Sequence, residues 1–318
     1  MRLCRFIQDG EPRPAFYLDH HLVPLDAAAR VYRERTHKDV PLPVADDLML
    51  YLPPDGRHFL AARELADWIE KNTGVTDGAA LETSKARLLT PIPRPPKLLL
   101  LAGNYAAHIE EGGRNAVARQ KTFPYVFMKP PSTTLNHHEG LVTIPAVSPN
   151  FIDWEVELGV IMGRRARAVR EEDALQFVAA YTVVNDISDR RFRPNPGREK
   201  REQDQFFDWL HGKWHDSFCP AGPCVRSADS LPDPQKLQLT LKVNGQVKQN
   251  ASTAQQIFSV AGVIAFISSF VTLEPGDIIS TGTPSGVGNA TGTYLKPGDQ
   301  VEAAIEGIGL LRNRMVAQ

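Results

Sequence analysis

Glu155, Glu157 and Asp186 are the side chains whose type and spacing point most directly to chemistry. Apolar Trp154, Val156, Leu158 and Val160 alternate with Asp153, Glu155 and Glu157, which is the period of a β-strand. Glu155 and Glu157 therefore share a face, one pleat apart. Asp186 closes a second apolar run, residues 181–184, about thirty residues later. Three carboxylates converging from two strands suit a hard divalent cation. Without one they repel each other and resist burial. The competing reading is an amphipathic surface strand with its acidic face in water.

Other residues could serve such a centre. His108 and Glu111 lie three apart in a stretch of helical character, residues 106–111, so they share a face. A carboxylate beside an imidazole raises its basicity and fixes its tautomer. Gly112-Gly113 directly afterwards fits a hinged lid. Lys213, between Gly212 and Trp214, could place a positive charge beside an oxyanion or serve as an acid, or lay its stem on the indole at the surface. The run Thr281-Gly-Thr283-Pro-Ser-Gly286-Val-Gly288 brings backbone N–H groups and hydroxyls toward a ligand. It lacks the Gly-Lys-Ser/Thr of a phosphate loop and offers no following helix for an anion, so nucleotide binding is set aside. His137-His138-Glu139 reads as a solvated turn.

The elements that must position these groups follow from pattern. Strands are expected at 3–7, 15–18, 97–101, 125–129, 141–144 and 277–280, and helices at 25–33 and 59–71. In the second helix Leu60, Leu65, Trp68 and Ile69 fall near one face. A short helix is expected at 173–180 and a charged loop at 191–208. Asn244-Gly245 between 237–243 and 246–249 is a strong hairpin signal. Thr253 with Gln256 has the form of a capping box for a helix reaching Ser268, with Ile257, Val260, Ala261 and Ile264 as its stripe. Pro-Gly-Asp turns at 275–277 and 297–299 each precede a strand.

At 318 residues the chain exceeds the usual single core. Residues 1–90 read as a small N-terminal accessory domain, 91–97 as a Pro-rich linker and 98–318 as the catalytic domain. A net charge of -1 gives no reason to expect nucleic acid or an anionic membrane. Three cysteines with no C-x-x-C pair indicate neither a disulfide framework nor a zinc knuckle. No apolar run spans a bilayer, the N-terminus lacks a signal-type apolar core, and a cytoplasmic protein is the expectation.

Seven motifs occur in one order: Gly103-Asn-Tyr105-x-x-His108-x-x-Glu111, Phe127-Met-Lys129-Pro130, Asp153-x-Glu155-x-Glu157-Leu158, Asn185-Asp186-Ile-Ser188, Gly212-Lys213 with Cys219-Pro-x-Gly-Pro223, Val243-Asn-Gly245, and Pro275-Gly-Asp277 through Gly288. Together they resemble the fumarylacetoacetate hydrolase family over roughly residues 98–316. The resemblance implies an α+β, mainly β fold, a mixed β-sandwich roll preceded by a small α+β domain. It implies Mg²⁺ or Mn²⁺ on Glu155, Glu157 and Asp186, a lid dyad of His108 and Glu111, and Lys213 as catalytic lysine. Lys129, Arg190 and Thr283 would touch substrate, and the protein would be a homodimer. The family often has Ser-Ala-Arg-Asp where this chain has Ser188-Asp189-Arg190-Arg191, which bears on substrate choice.

The expected activity is metal-dependent hydrolysis of a C–C bond in a small 2,4-diketo acid, such as an acylpyruvate from aromatic or sugar acid breakdown. The cation would engage the 2-oxo acid end, and His108 would activate water against the 4-carbonyl. The alternatives are an oxaloacetate-type β-keto acid decarboxylase, a hydratase or isomerase on the same fold, and a non-catalytic metal- or ligand-binding protein.

Overall fold

The computed structural model describes residues 1–318 except 44, 73 and 232. Its large sheet orders the strands Leu81–Glu82, His21–Pro24, Glu11–Leu18, Arg2–Gln8, Cys219–Ser227, Val178–Asn185, Val156–Met162, Ile278–Ser280, Leu98–Ala102 and Tyr125–Met128. Neighbours along this path are antiparallel except Ile278–Ser280 beside Leu98–Ala102. A second sheet orders Gln246–Ser252, Gln238–Val243, Gln300–Ile305, Gly309–Ala317 and Leu141–Ile144.

The strand Val156–Met162 lies between two cores. Val156, Leu158, Val160 and Met162 join Leu239, Leu241, Val301, Ala303 and Leu311 of the second sheet in one apolar cluster. Ile161, on the opposite face, belongs to another cluster with Phe16, Leu25, Leu65 and Ala179. Both faces are therefore buried, and the amphipathic surface reading of Glu155 and Glu157 falls away. An alternating pattern survives here because the polar residues face a built site rather than water.

The first ninety residues extend the same sheet. Arg2–Gln8 pairs with Cys219–Ser227, with Arg2 opposite Arg226 and Leu3 opposite Val225. Pro91, Ile92 and Pro95 of the connecting stretch are buried.

Several expectations need correction. In the helix Phe59–Lys71, Leu60 is 79% exposed and Ala62 joins Leu65 and Ile69 on the buried face. Residues 173–180 are a 3₁₀ segment, Glu171–Phe177, and Val178 already belongs to a strand paired on both edges. Ladder bonds on two sides outweigh local helical preference. The charged stretch 191–208 runs into a helix, Asp204–His211, whose Asp204 and Asp208 hold Arg198. The helix expected from Thr253 starts instead at Val260, where Ser259 Oγ accepts the Gly262 N–H at 3.0 Å. Thr253 Oγ1 accepts the Leu237 N–H at 2.9 Å, and Gln256 Nε2 donates to Thr281 Oγ1 at 2.8 Å. Tertiary partners thus take both members of the apparent capping box.

Candidate active site

The site is built where Val156–Met162 and Val178–Asn185 run side by side, with Val156 opposite Asn185. That register brings Asp186, just past one strand, to Glu155, just before the other, and the Asp186 N–H donates to Glu155 O at 2.9 Å. Asn185 Oδ1 accepts the Glu155 N–H at 3.0 Å and fixes the same junction. Glu155, Glu157 and Asp186 are all buried, and one oxygen from each lies within 4.8 Å of the others.

The three carboxylates are held differently. Glu157 Oε2 accepts from Ser280 Oγ at 2.6 Å and the Gly282 N–H at 2.9 Å. Burial, followed by Asp186 and Glu155, still pushes the Glu157 carboxyl well above its ordinary range. Burial acts the same way on Glu155, but Arg190, Lys213 and His108 outweigh it and hold that carboxyl well below the usual carboxylate range. Arg190 Nη2 meets Glu155 Oε1 at 2.5 Å, and Lys213 Nζ meets Oε2 at 2.7 Å. Lys213 Nζ also donates to Asp186 Oδ2 at 2.6 Å. Burial lowers the lysine's pKa, but Asp186 and Glu155 more than reverse this, so it stays an ammonium. Its position beneath the site rules out the surface alternative for Lys213.

Glu157 Oε1 and Asp186 Oδ1 are buried and accept no hydrogen bond, although Lys129 makes an ion pair with Asp186 Oδ1. The unengaged Glu157 Oε1 in an all-carboxylate set fits a hard divalent cation. A cation would also relieve the repulsion that raises Glu157.

The dyad forms as expected. On the helix Ala106–Glu111, His108 Nδ1 and Glu111 Oε1 are 2.7 Å apart. The other carboxylate oxygen of Glu111 accepts the Gly286 N–H at 2.8 Å, which docks the helix onto the 281–288 loop. Gly286 has φ +103°, and a Cβ there would fall 2.1 Å from Lys248 O, so only glycine fits. His108 lies close enough to Glu155 to favour its charged form.

The expected substrate contacts are placed less simply. Lys129 is buried and engaged by Ile187 O at 2.9 Å, Phe218 O at 2.6 Å and Asp186. Thr283 Oγ1 donates to Val156 O at 3.0 Å and accepts from Gln249 Nε2 at 2.8 Å. Arg190 links Asp153, at 2.7 Å from Nε, to Glu155. His137 and His138 sit apart in a turn, where His138 Nδ1 accepts the Arg312 N–H at 3.1 Å.

Sequence reasoning missed three supporting roles. Asp153 caps a short helix, Gly288–Thr291, by accepting from the N–H groups of Gly288 at 2.6 Å and Asn289 at 3.0 Å. A helix does follow the glycine loop, and its anion is this internal carboxylate. The Asp-x-Glu-x-Glu spacing marked the residue but not the role. Gln249 ties Val156 N–H, Thr283 and Pro284 O together, with no local signal. Asn104, inside the Gly-Asn-Tyr motif, fastens the segment leading into the helix Ala106–Glu111 to Thr281 O and Phe258.

The model for the fumarylacetoacetate (FAA) hydrolase C-terminal family matches residues 97–316. The chain belongs to the fumarylacetoacetate hydrolase family. A 2,4-didehydro-3-deoxy-L-rhamnonate hydrolase of Sphingomonas sp. is 34% identical over 318 residues, covering 99% of this chain and 96% of that protein. A mitochondrial oxaloacetate tautomerase of Homo sapiens is 34% identical over 267 residues, 83% of this chain and 81% of its own length. The maleylpyruvate hydrolase from Sphingobium sp., solved in complex with manganese(II) ion and pyruvate, matches with a TM-score of 0.70 at 28% identity over 100% of this chain and 99% of that one. The fumarylacetoacetate hydrolase fold expected from the motifs is therefore the fold of this chain, and hydrolases and a tautomerase share it. Among the described residues no helix is long and apolar enough to cross a membrane.

Proposed function

We propose that this protein is a metal-dependent hydrolase that cleaves the C3–C4 bond of a small 2,4-diketo acid of the acylpyruvate type. The observation carrying this reading is a His–Glu pair docked beside a buried triad of carboxylates. A divalent cation held by Glu155, Glu157 and Asp186 supplies Lewis acidity to the 2-oxo acid end of the substrate. Glu111 holds Nδ1 of His108, which leaves Nε2 to take a proton from water. The hydroxide so formed adds to the 4-carbonyl. The C3–C4 bond then breaks, its electron pair stays on C3 as an enolate, and C4 leaves as a carboxylic acid. The His108 imidazolium returns its proton to C3, giving pyruvate. Lys213 stabilises negative charge on the substrate. Arg190 and Thr283 face the same substrate from the Asp186 and glycine-loop sides, and Lys129 holds Asp186 in place.

A second reading is favoured by the oxaloacetate tautomerases that match over 83% of this chain. Tautomerisation would use the same carboxylates and the same histidine, moving a proton at C3 with no attack by water. The test is a panel of acylpyruvates and oxaloacetate, assayed with Mg²⁺, with Mn²⁺ and with EDTA. Release of a second carboxylic acid only in the presence of metal supports the hydrolase. Enol–keto exchange of oxaloacetate with no acid released from any acylpyruvate replaces it with the tautomerase.

We further read the cation as Mg²⁺ or Mn²⁺ and the protein as a cytoplasmic homodimer. The dimer is supported by exposed aromatics on and beside the edge strand Tyr125–Met128: Phe123, Tyr125, Phe206, Phe207 and Phe270.

A further inference from the structure

Asp189 and His215 present an arrangement that the proposed reaction does not use. Asp189 is buried, and its Oδ2 has no hydrogen-bond partner; neither has the buried His215 Nε2. The two atoms face each other at 3.6 Å, too far for a hydrogen bond. Buried polar atoms without partners are rare enough that a facing pair calls for a cause. The His215 ring cannot easily turn away. It is clamped edge-on by Phe192, with centroids 4.9 Å apart, and by Phe218 at 5.0 Å.

The pair brackets Lys213. The Asp189 N–H donates to Gly212 O at 2.9 Å, and a Cβ on Gly212 would fall 2.3 Å from Asp189 O. Asp189 thus touches the residue before Lys213 and faces the second residue after it. The residue following Asp189 is Arg190. Lys213 and Arg190 grip the two oxygens of Glu155, at 2.7 and 2.5 Å. One carboxylate therefore stands at the junction of the two segments that carry these cations.

We propose that Asp189 and His215 are a positioning pair that closes to a hydrogen bond in the working enzyme and fixes Lys213 relative to Arg190. The catalytic part of the proposal rests on the functional reading above. Its geometric part does not.

The experiment joins ring ¹⁵N NMR of His215 with kinetics of wild type, Asp189→Asn, His215→Phe and the double variant Asp189→Asn/His215→Phe. Melting temperatures are recorded for each. The expected ring state in wild type is the Nε2–H tautomer with a hydrogen-bonded proton, lost in Asp189→Asn. Each single variant is expected to lower kcat about tenfold with little change in KM or Mn²⁺ affinity. The double variant should lose no more than the worse single variant, because the two side chains act as one unit. A free, unbonded His215 ring in wild type overturns the pair. Losses in kcat that merely add in the double variant, or follow the melting temperature, overturn its positioning role. If wild type turns over neither an acylpyruvate nor oxaloacetate, the functional reading fails, and the pair stands or falls on the ring signal alone.

Discussion

Glu155 is where the charges of the site meet, because Arg190 takes one of its oxygens and Lys213 the other. Removing it leaves two buried cations facing a gap. Glu155→Ala and Asp186→Ala are expected to lose Mn²⁺ binding in titration calorimetry, because two carboxylates hold a hard cation poorly. Mn²⁺ should raise the melting temperature of wild type and leave these variants unmoved. Unchanged affinity in both would end the assignment. His108→Ala should keep Mn²⁺ affinity, since the imidazole is no proposed ligand, and lose about 10²–10⁴ in hydrolysis. Glu111→Gln tests the tautomer. With Gln Oε1 on the Gly286 N–H, its amide N–H must donate to His108 Nδ1, which moves the ring proton to Nε2. The base is then blocked, and kcat should fall on the order of 10²–10⁴, more than in Glu111→Ala. Equal rates in the two variants would mean that Glu111 only holds the helix down.

Elements were legible where local pattern and tertiary context agreed. The helices at 59–71 and 106–111 and the hairpin around Asn244-Gly245 have the bounds or turn that the sequence suggests. The carboxylate triad was readable because period-two spacing survives burial. The depth of Lys213 was not readable, since its partners lie 58 and 27 residues away and no local signal reports burial by distant segments. The capping box at Thr253 misled because distant groups claim both side chains, while Ser259 takes the cap six residues later. That correction is testable. Ser259→Ala should cost about 1 kcal/mol in urea unfolding, the usual worth of a lost N-cap. An unchanged midpoint would show that the helix Val260–Phe270 is held by packing alone. The helix Asp204–His211 went unseen because the preceding charges mask its apolar residues. Two of those, Phe206 and Phe207, do point outward.

At the scale of the whole molecule, the proposed homodimer is expected to use the exposed aromatics beside Tyr125–Met128. Phe123 meets Tyr125 and Phe266, and Phe266 meets Phe270, so these rings form one continuous surface. Apolar patches of this kind are uncommon on monomers. Sedimentation should show a dimer that Tyr125→Glu with Phe270→Glu converts to monomer while the melting temperature stays near wild type. A wild type that sediments as a monomer at every concentration would remove the dimer. The large sheet has a further consequence, for synthesis. Arg2–Gln8 must pair with Cys219–Ser227, more than two hundred residues later. At ordinary translation speeds that partner emerges roughly 10–40 s after the first strand. During that interval Leu88–Leu89 can already cover Arg5 and Phe6, but the Arg2–Leu3 end of the nascent hairpin keeps an open edge on the ribosome, the kind of edge that recruits wrong partners. Slow stretches of message between the two strands would lengthen that exposure, and the yield of active protein should respond to codon choice there more than to codon choice after residue 227.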